Sequence, residues 1–383
     1  MTEKLYDKDA YLMTFEAEVL SCSSDADNRY AVVLDKTAFF PEGGGQKSDT
    51  GTLDDATVFD VREKDGQIIH YTDIPLKTGT MVTGTVLMEE RFRKMQNHSG
   101  EHIVSGLIHS MFGFDNVGFR LSDDVTVDIN GELSSEDIDH IEFLANKAVY
   151  KNVVINACYP DSETLKNLSY RSKLELTENV RIVTIEGYDC CACCAPHVSH
   201  TGEIGIIKIV SHERYKGGTR LHMVCGSDAL KDYRTRFDNT KQTAVLLSVS
   251  HEDVYTAVLG LKDEIESLKS EKSELKQQLL KAKSGMILPS EKNICIFEEM
   301  DDVGFIRMLI NENISKCKGI FAVFWPKGSS YNYIIASSSI DLRVRSKEIN
   351  SSLDGRGGGT SGMIQGCVSS SKKVIFDYIS NFE

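Results

Sequence analysis

A heptad pattern in the second half of the chain constrains the fold more than any other feature. From Leu247 to Ala282, positions alternate four and three residues apart in the spacing of a coiled-coil a/d seam. His251 and Lys272 interrupt the apolar seam, and polar residues there commonly fix helix register or partner number. We expect this helix to end near Ser284 and to join two chains, in either orientation, although it could also fold back within one chain.

Composition places the rest of the chain among ordered globular proteins. Its 383 residues suffice for two or three domains, and 41% hydrophobic with 26% charged residues is typical of a folded chain. A net charge of −14 argues against wholesale wrapping of nucleic acid, while one basic face remains compatible with it. The chain shows neither a signal peptide nor an apolar run of about 18 residues, so we expect a cytoplasmic protein without membrane association.

Changes in hydrophobic period divide the chain into four parts of an α+β protein. Residues 1–88 contain short β runs, with Asp65-Gly66 as a hairpin signal, and predict a small β-barrel or sandwich. Residues 89–228 predict a central α+β domain, 229–285 the helical segment, and 286–383 an α/β domain with a glycine-rich turn at 355–359. In the central domain we predict helices at 91–112 and 135–151, and strands at 125–129, 153–157, 180–183 and 204–210.

Two separated pairs of residues carry metal-binding potential. His98 and His102 lie one helical turn apart and can reach a single ion, and Cys193 and His197 supply a thiolate and a third imidazole in a tight turn. Zinc prefers such nitrogen and sulfur ligands. The cysteines could alternatively form a redox pair such as Cys190 with Cys193, a separate structural zinc site, or buried thiols.

The same helix also spells a peptidase motif. His98-Ser-Gly-Glu101-His102 matches H-x-x-E-H, in which the glutamate would be the general base of a zinc peptidase. Such an enzyme usually takes an acidic ligand from a downstream helix, whereas here a Cys-His pair follows. The peptidase is therefore the less favoured hypothesis.

A glycine-rich loop at 37–51 offers close backbone approach to a ligand. Gly43, Gly44 and Gly45 are followed by Gln46, which can both donate and accept hydrogen bonds. An ordinary hairpin loop is the alternative. The segment lacks the Gly-Lys-Ser/Thr ending of a P-loop.

These motifs together resemble the alanyl-tRNA editing proteins in their long form, which are free-standing relatives of the editing domain of alanyl-tRNA synthetase that also carry its C-terminal domain. The resemblance rests on Phe40-Pro-Glu-Gly-Gly-Gly-Gln46, Asn97-His-Ser-Gly-Glu-His102, Cys193-x-x-x-His197-Val with Thr201-Gly-Glu-Ile-Gly, and Gly357-Gly-Gly-Thr-Ser-Gly-Met-Ile-Gln-Gly366. It covers nearly the whole chain in the family's order. Two positions depart from the family: Cys194-Ala-Pro fills the turn where Gly-Gly-Thr is usual, and Glu101 replaces a common threonine.

The resemblance implies a zinc-dependent hydrolase that removes chiefly serine, with glycine as a second candidate, from tRNA(Ala) that should carry alanine. It implies zinc ligands at His98, His102, Cys193 and His197, and places Gln46 toward the aminoacyl end of the tRNA. Thr37, Gln46 and Glu101 are the candidates for reading the substrate or for acid/base chemistry. Zinc could activate water, polarise the ester carbonyl or orient the substrate.

Two glycine-rich segments are expected to bind the substrate. Gly43, Gly44 and Gly45 are expected to contact it in the editing core. The C-terminal part is expected to bind tRNA without taking part in the reaction, and its tRNA phosphate contacts are expected at Arg356, Gly357, Gly358 and Gly359, near Arg343, Arg345 and Lys347. A homodimer through the coiled coil and the C-terminal domain is the expected assembly. The alternatives in other classes are the zinc peptidase and a non-catalytic tRNA-binding protein with structural zinc.

Overall fold

The computed structural model describes residues 1–25, 29–122, 124–172 and 180–383, and confirms a mixed α+β protein. The chain divides into two compact units, Met1–Gln242 and Thr243–Glu383. The first unit holds both the barrel and the central domain predicted at 1–88 and 89–228. None of the described helices is both long enough and apolar enough to cross a lipid bilayer.

The first unit opens with a closed barrel. The strands of this region are β1 (Glu3–Lys4), β2 (Thr14–Ser24), β3 (Tyr30–Leu34), β4 (Lys36–Thr37), β5 (Gly51–Leu53), β6 (Ala56–Lys64), β7 (Gln67–Thr72) and β8 (Met81–Val86), of which β1 and β4 pair with each other in a separate two-stranded sheet. β2, β3, β7, β6, β5 and β8 close into a ring in that order, and alternate residues, as in β8, point into its core. Asp65 and Gly66 both have positive φ, of 51° and 72°, and confirm the predicted hairpin between β6 and β7.

A helical and sheet layer completes the first unit. Its elements are α1 (Met88–Phe112), β9 (Asn116–Leu121), β10 (Val125–Ile129), α2 (Ser135–Lys151), β11 (Ile155–Cys158), α3 (Ser162–Asn167), β12 (Ile182–Ile185), β13 (Asp189–Ala192), β14 (Ile207–Tyr215) and β15 (Gly218–Cys225). β14, β15, β10 and β9 form one sheet, and β11, β12 and β13 form another. Ser134 caps α2 in a reciprocal capping box with Asp137, as its sequence indicates. The strand predicted at 204–210 begins only at Ile207, because Thr201–Ile204 forms a 3₁₀ turn.

The second unit is built around a five-stranded sheet. The boundary between the units, after Gln242, falls within α4 (Ser227–Leu247). The elements after α4 are α5 (Val254–Met286), β16 (Ile294–Phe297), α6 (Val303–Asn313), β17 (Phe321–Lys327), β18 (Ser330–Ala336), α7 (Leu342–Ser352), β19 (Gly355–Gly359), β20 (Met363–Val368) and α8 (Lys372–Ser380). The strand order is β16, β17, β18, β20, β19, with β16 and β17 parallel.

The prediction of one continuous helix along the heptad seam is wrong for the start of the seam. α4 ends at Leu247, Ser248 takes a positive φ of 57°, and α5 begins at Val254, so Leu247 and His251 lie outside α5. A left-handed residue cannot continue a right-handed helix, and this explains the break. In the described chain α5 has no buried residue, and its seam is exposed, as Ile265 (52%) and Leu268 (56%) show.

The glycine-rich turn predicted at 355–359 is also wrong, because this segment is the edge strand β19. It pairs antiparallel with β20. A Cβ on Gly357 would lie 2.4 Å from both Tyr333 Oη and Gln365 O, so only glycine lets the strand come this close.

A buried ion pair fixes α1 to the loop that precedes β5. Arg91 Nε donates to Asp49 Oδ2 at 2.8 Å, and its terminal nitrogens donate to the carbonyl oxygens of Ala10 (2.9 Å) and Ala38 (2.6 Å). The N–H of Phe40 donates to the same Asp49 oxygen at 2.7 Å. Both charged side chains are fully buried, so removal of Arg91 leaves Asp49 with only the more distant Lys94 Nζ, at 3.9 Å, as a cation among its described ion pairs.

We therefore expect Arg91→Met to lower the free energy of unfolding by about 3–5 kcal/mol. Urea unfolding followed by far-ultraviolet circular dichroism measures the change. Arg62→Met is the matched control, because Arg62 is about half exposed in its pairs with Glu42 and Asp60, and should cost at most about 1 kcal/mol. Equal losses in the two variants would contradict a special role for the buried pair.

Candidate metal centre

Two segments of the first unit bring four ligating side chains together. α1 presents His98 and His102, and the turn after β13 presents Cys193 and His197. One ligand atom from each of the four lies within 4.8 Å of all the others. His98 Nε2 and His197 Nε2 lie 3.6 and 3.3 Å from Cys193 Sγ. The two pairs, separate in sequence, therefore form one cluster that could hold a metal ion.

Close packing of α1 against the β13 segment makes this meeting possible. A Cβ on Gly106 would lie 2.2 Å from the carbonyl oxygen of Tyr188, so a larger residue could not occupy this point of the helix. Tyr188 precedes Asp189, which reaches His102. The glycine thus lets α1 approach the segment that carries the second half of the cluster.

Each imidazole is held by a second residue through its Nδ1 atom. His98 Nδ1 donates to Gln46 Oε1 at 2.9 Å, and His102 Nδ1 donates to Asp189 Oδ2 at 2.8 Å. The Nδ1 of the third imidazole shares a 3.0 Å hydrogen bond with Ser99 Oγ. Such partners fix ring orientation and leave the other nitrogen for a metal ion.

The electrostatics of the cluster favour a thiolate. Burial raises the pKa of Cys193, but the adjacent His98 and His197 outweigh this effect and hold that pKa well below its usual value. Burial lowers the pKa of His197 to about 3, which keeps this ring neutral and able to ligate. Burial also lowers the pKa of His102, but the hydrogen bonds and negative charges of Asp189 and Cys193 together more than offset it and raise that pKa well above its usual value.

The cluster lies on the wall of a cavity of about 1180 Å³. The glycine loop reaches this cavity because Gly45 has a φ of +82°, and a Cβ there would lie 2.3 Å from the carbonyl oxygen of Phe119. Among the lining residues are Lys4, Gly44, Gly45, His98, Glu101, His102, Asn116, Phe119, Arg171, Arg181, Asp189, Cys193 and Cys194. The cavity is thus lined by metal ligands, a carboxylate and cationic side chains, and it is large enough to hold a small ligand or one end of a larger one.

The predicted substrate and catalytic residues fall in different places. Glu101 lines the cavity, whereas Gln46 is fully buried behind His98 and Thr37 is fully buried with its Oγ1 2.8 Å from His70 Nε2. Gly43 pairs with Gln46 through backbone hydrogen bonds in both directions. The predicted tRNA-contacting residues Arg356, Gly357, Gly358 and Gly359 lie on β19 of the second unit.

Sequence reasoning missed the residues that hold the rings. Ser99 and Asp189 carry no spacing signal, because their partners lie 98 and 87 positions away along the chain. All ten cysteines are free thiols, and burial raises the pKa of Cys191 and of Cys194 to about 11. Cys193 is therefore the cysteine whose surroundings suit metal ligation.

Comparison with known proteins agrees with the motifs. The family described as threonyl and alanyl tRNA synthetase second additional domain matches residues 180–222, and the family described as tRNA synthetases class II (A) matches residues 4–90. The alanyl-tRNA editing protein AlaX-L of Pyrococcus horikoshii is 29% identical, over 98% of this chain and 97% of its own. The chain resembles the alanyl-tRNA editing proteins over its whole length.

Two further relatives extend this comparison. The alanyl-tRNA editing protein Aarsd1 of Mus musculus is 26% identical, and the alignment covers 98% of both chains. The alanine–tRNA ligase of Ignicoccus hospitalis is 30% identical over 73% of this chain, which corresponds to 32% of the ligase. The resemblance predicted from the motifs is thereby confirmed.

We expect Cys193→Ala to abolish stoichiometric metal binding, because it removes the thiolate around which the three imidazoles are arranged. Metal content after purification in the presence of zinc, measured by mass spectrometry, checks this. Cys194→Ala is the matched control, since its thiol is adjacent in sequence but outside the cluster. Full metal content in Cys193→Ala would contradict the assignment.

Proposed function

We propose that the protein is a trans-editing hydrolase that deacylates seryl-tRNA(Ala), with glycyl-tRNA(Ala) as a second substrate. The observation that carries the proposal is the clustering of His98, His102, Cys193 and His197, of which the first three line the cavity. A full-length relative named as an alanyl-tRNA editing protein supports it. The reaction is hydrolysis of the ester between the amino acid and the terminal ribose.

Zinc is the proposed metal. Zinc–sulfur bonds of about 2.3 Å and zinc–nitrogen bonds of about 2.0–2.1 Å place tetrahedral ligand atoms about 3.3–3.6 Å apart. The separations of 3.6 and 3.3 Å between Cys193 Sγ and two imidazole nitrogens fit these values. When bound, the ion would supply Lewis acidity for the ester carbonyl or for water, or would orient the terminal ribose.

The chain's own residues fix the ligands and shape the site. Gln46 and Asp189 orient His98 and His102, so Gln46 acts through His98 as a positioning residue. Serine exceeds alanine by one hydroxyl, which an alanine-activating pocket cannot strongly reject. The editing site must then bind that hydroxyl by hydrogen bonds that alanine leaves unmade. Asn116 provides a polar group on the cavity wall for this recognition.

Parallel assays with seryl-, glycyl- and alanyl-tRNA(Ala) test the proposal. We expect release of serine at a rate at least about 100-fold above that of alanine, which is the discrimination that an unmade polar contact can provide. Cys193→Ala should abolish release, and Cys194→Ala should retain it. A peptidase would cleave peptides and spare these esters, and a non-catalytic binding protein would bind tRNA without releasing amino acid. Either of those results would contradict the proposal.

We further propose that the second unit contacts the tRNA backbone through Arg356. This exposed residue lies on the edge strand β19, whose glycines allow close backbone approach. Arg345 is engaged with Glu348 and the carbonyl oxygen of Glu383, so it is a poorer candidate.

Arg356→Gln should weaken tRNA binding and reduce the slope of log affinity against log salt by about one, because one phosphate contact is lost. Filter binding over a salt series measures both quantities. Arg345→Gln is the control and should leave the slope unchanged. An unchanged slope in Arg356→Gln would exclude the contact.

The exposed seam of α5 is proposed to pair with the same helix of a second copy. α5 has 33 residues and a length of about 50 Å, and its apolar a and d positions from Val258 to Leu275 are exposed. Lysines occupy the flanking e positions Lys262 and Lys269, and glutamates occupy the g positions Glu264 and Glu271. In a parallel pair, each g position faces an e position of the partner, so unlike charges meet. In an antiparallel pair, lysines would face lysines. We therefore favour a parallel homodimer.

Charge reversal tests this arrangement. Glu264→Lys and Lys269→Glu should each weaken the dimer, and the double variant should regain affinity because the opposite charges face each other again. Sedimentation equilibrium of the full chain gives the dissociation constants. A monomer at all concentrations, or a tighter dimer with Lys269→Glu alone, would contradict a parallel pair.

A further inference from the structure

Glu101 is a buried carboxylate on the cavity wall with one oxygen unengaged. The residue is only 4% exposed and lines the cavity next to His102. Its Oε1 accepts hydrogen bonds from Ser105 Oγ and, at 2.5 Å, from Asn116 Nδ2. Its Oε2 accepts no hydrogen bond from the part of the chain that the structure describes. The two donors fix the carboxylate while this second oxygen remains available to a ligand.

The other buried acid of the cavity is already neutralised. Asp189 Oδ1 accepts from Arg171 Nε at 2.8 Å, and its Oδ2 accepts from His102 Nδ1 at 2.8 Å. Burial would raise the pKa of this acid, but these neighbours hold it below its usual value. Within the described chain, Glu101 Oε1 accepts from a hydroxyl and an amide, and Arg171 adds positive charge nearby without donating a hydrogen bond to Glu101. A buried carboxylate oxygen without a hydrogen-bond donor is costly, so the site is suited to a cationic donor supplied by the ligand.

We propose that Glu101 binds the protonated α-amino group of the aminoacyl ester, and that the enzyme therefore selects esters with a free α-amine over N-acylated ones. The pKa of an α-amino group is about 7.7–8.0, so most of this group is cationic at neutral pH. The amine lies one carbon from the ester carbonyl, so its capture also orients the bond to be broken. The inference deepens the proposed function and rests on it.

Seryl-tRNA(Ala) and N-acetylseryl-tRNA(Ala) form the decisive substrate pair. The wild-type protein should hydrolyse the free-amine ester about 10- to 100-fold more efficiently, the range expected for a hydrogen bond to a charged group. Glu101→Gln keeps the size and removes the charge. The Glu101→Gln variant should hydrolyse seryl-tRNA less efficiently by most of this 10- to 100-fold factor, whereas its efficiency on the N-acetyl ester should change little. Its zinc content should be unchanged. Glu90→Gln, the same change at an exposed position of α1, should keep the wild-type preference.

A binding measurement with the wild-type protein alone guards against a folding defect in the variant. The non-hydrolysable amide analogue of seryl-adenosine should bind about 10- to 100-fold more tightly than its N-acetyl form.

Three results would overturn the inference. Equal hydrolysis of both esters by the wild type would show that the amine is not read, while the proposed hydrolase function would stand. Equal losses on both esters in Glu101→Gln would assign Glu101 to acid/base or water-orienting chemistry instead. Failure of the wild type to hydrolyse seryl-tRNA(Ala) would contradict the proposed function itself, and with it this inference.

Discussion

The position of α1 determines whether the metal cluster can form. Two ligands lie on this helix, and the other two lie on a turn more than 90 residues later, so nothing local holds the pairs together. Two features fix the helix. The buried pair of Arg91 and Asp49 ties its first turns to the loop that carries Gln46, and Gly106 lets its last turns approach Tyr188. The barrel thus serves mainly to hold a loop against a helix.

Other residues of the chain hold the ligands of the cluster in place. All three imidazoles have their Nδ1 atoms engaged, and the pKa of Cys193 is held down by the neighbouring His98 and His197 despite burial. Fixed rings lose little freedom on ligation, so more of the coordination energy appears as affinity. This arrangement also explains why Gln46 is buried. Its amide carbonyl serves His98, and the loop glycines beside it face the cavity.

Local spacing predicted the elements that local forces determine. α2, the β6–β7 hairpin at Asp65-Gly66, and the two ligand pairs all depend on residues a few positions apart. The break at Ser248 could not be predicted from the heptads, because the pattern continues across a left-handed residue. The strand at 355–359 was hidden for another reason. Glycine composition favours a turn, and only the close approach of Tyr333 and Gln365 shows why glycine is needed in a strand. Ser99 and Asp189 were missed because long-range hydrogen bonds leave no periodic signal.

The charges of the cavity match the ends of an aminoacylated nucleotide. Lys4, Arg171 and Arg181 bring positive charge to its lining, although the chain as a whole carries −14. Arg171 and Arg181 are also tied to the metal cluster, the first through Asp189 and the second through the carbonyl oxygens of Cys193 and Ala195. The terminal nucleotide brings a phosphate and the amino acid brings an ammonium group, so one cavity with cations and an unengaged carboxylate can hold both. Under the proposed function, such a site would select the chemical class of its substrate by charge, while the finer choice of serine over alanine would depend on a single hydroxyl.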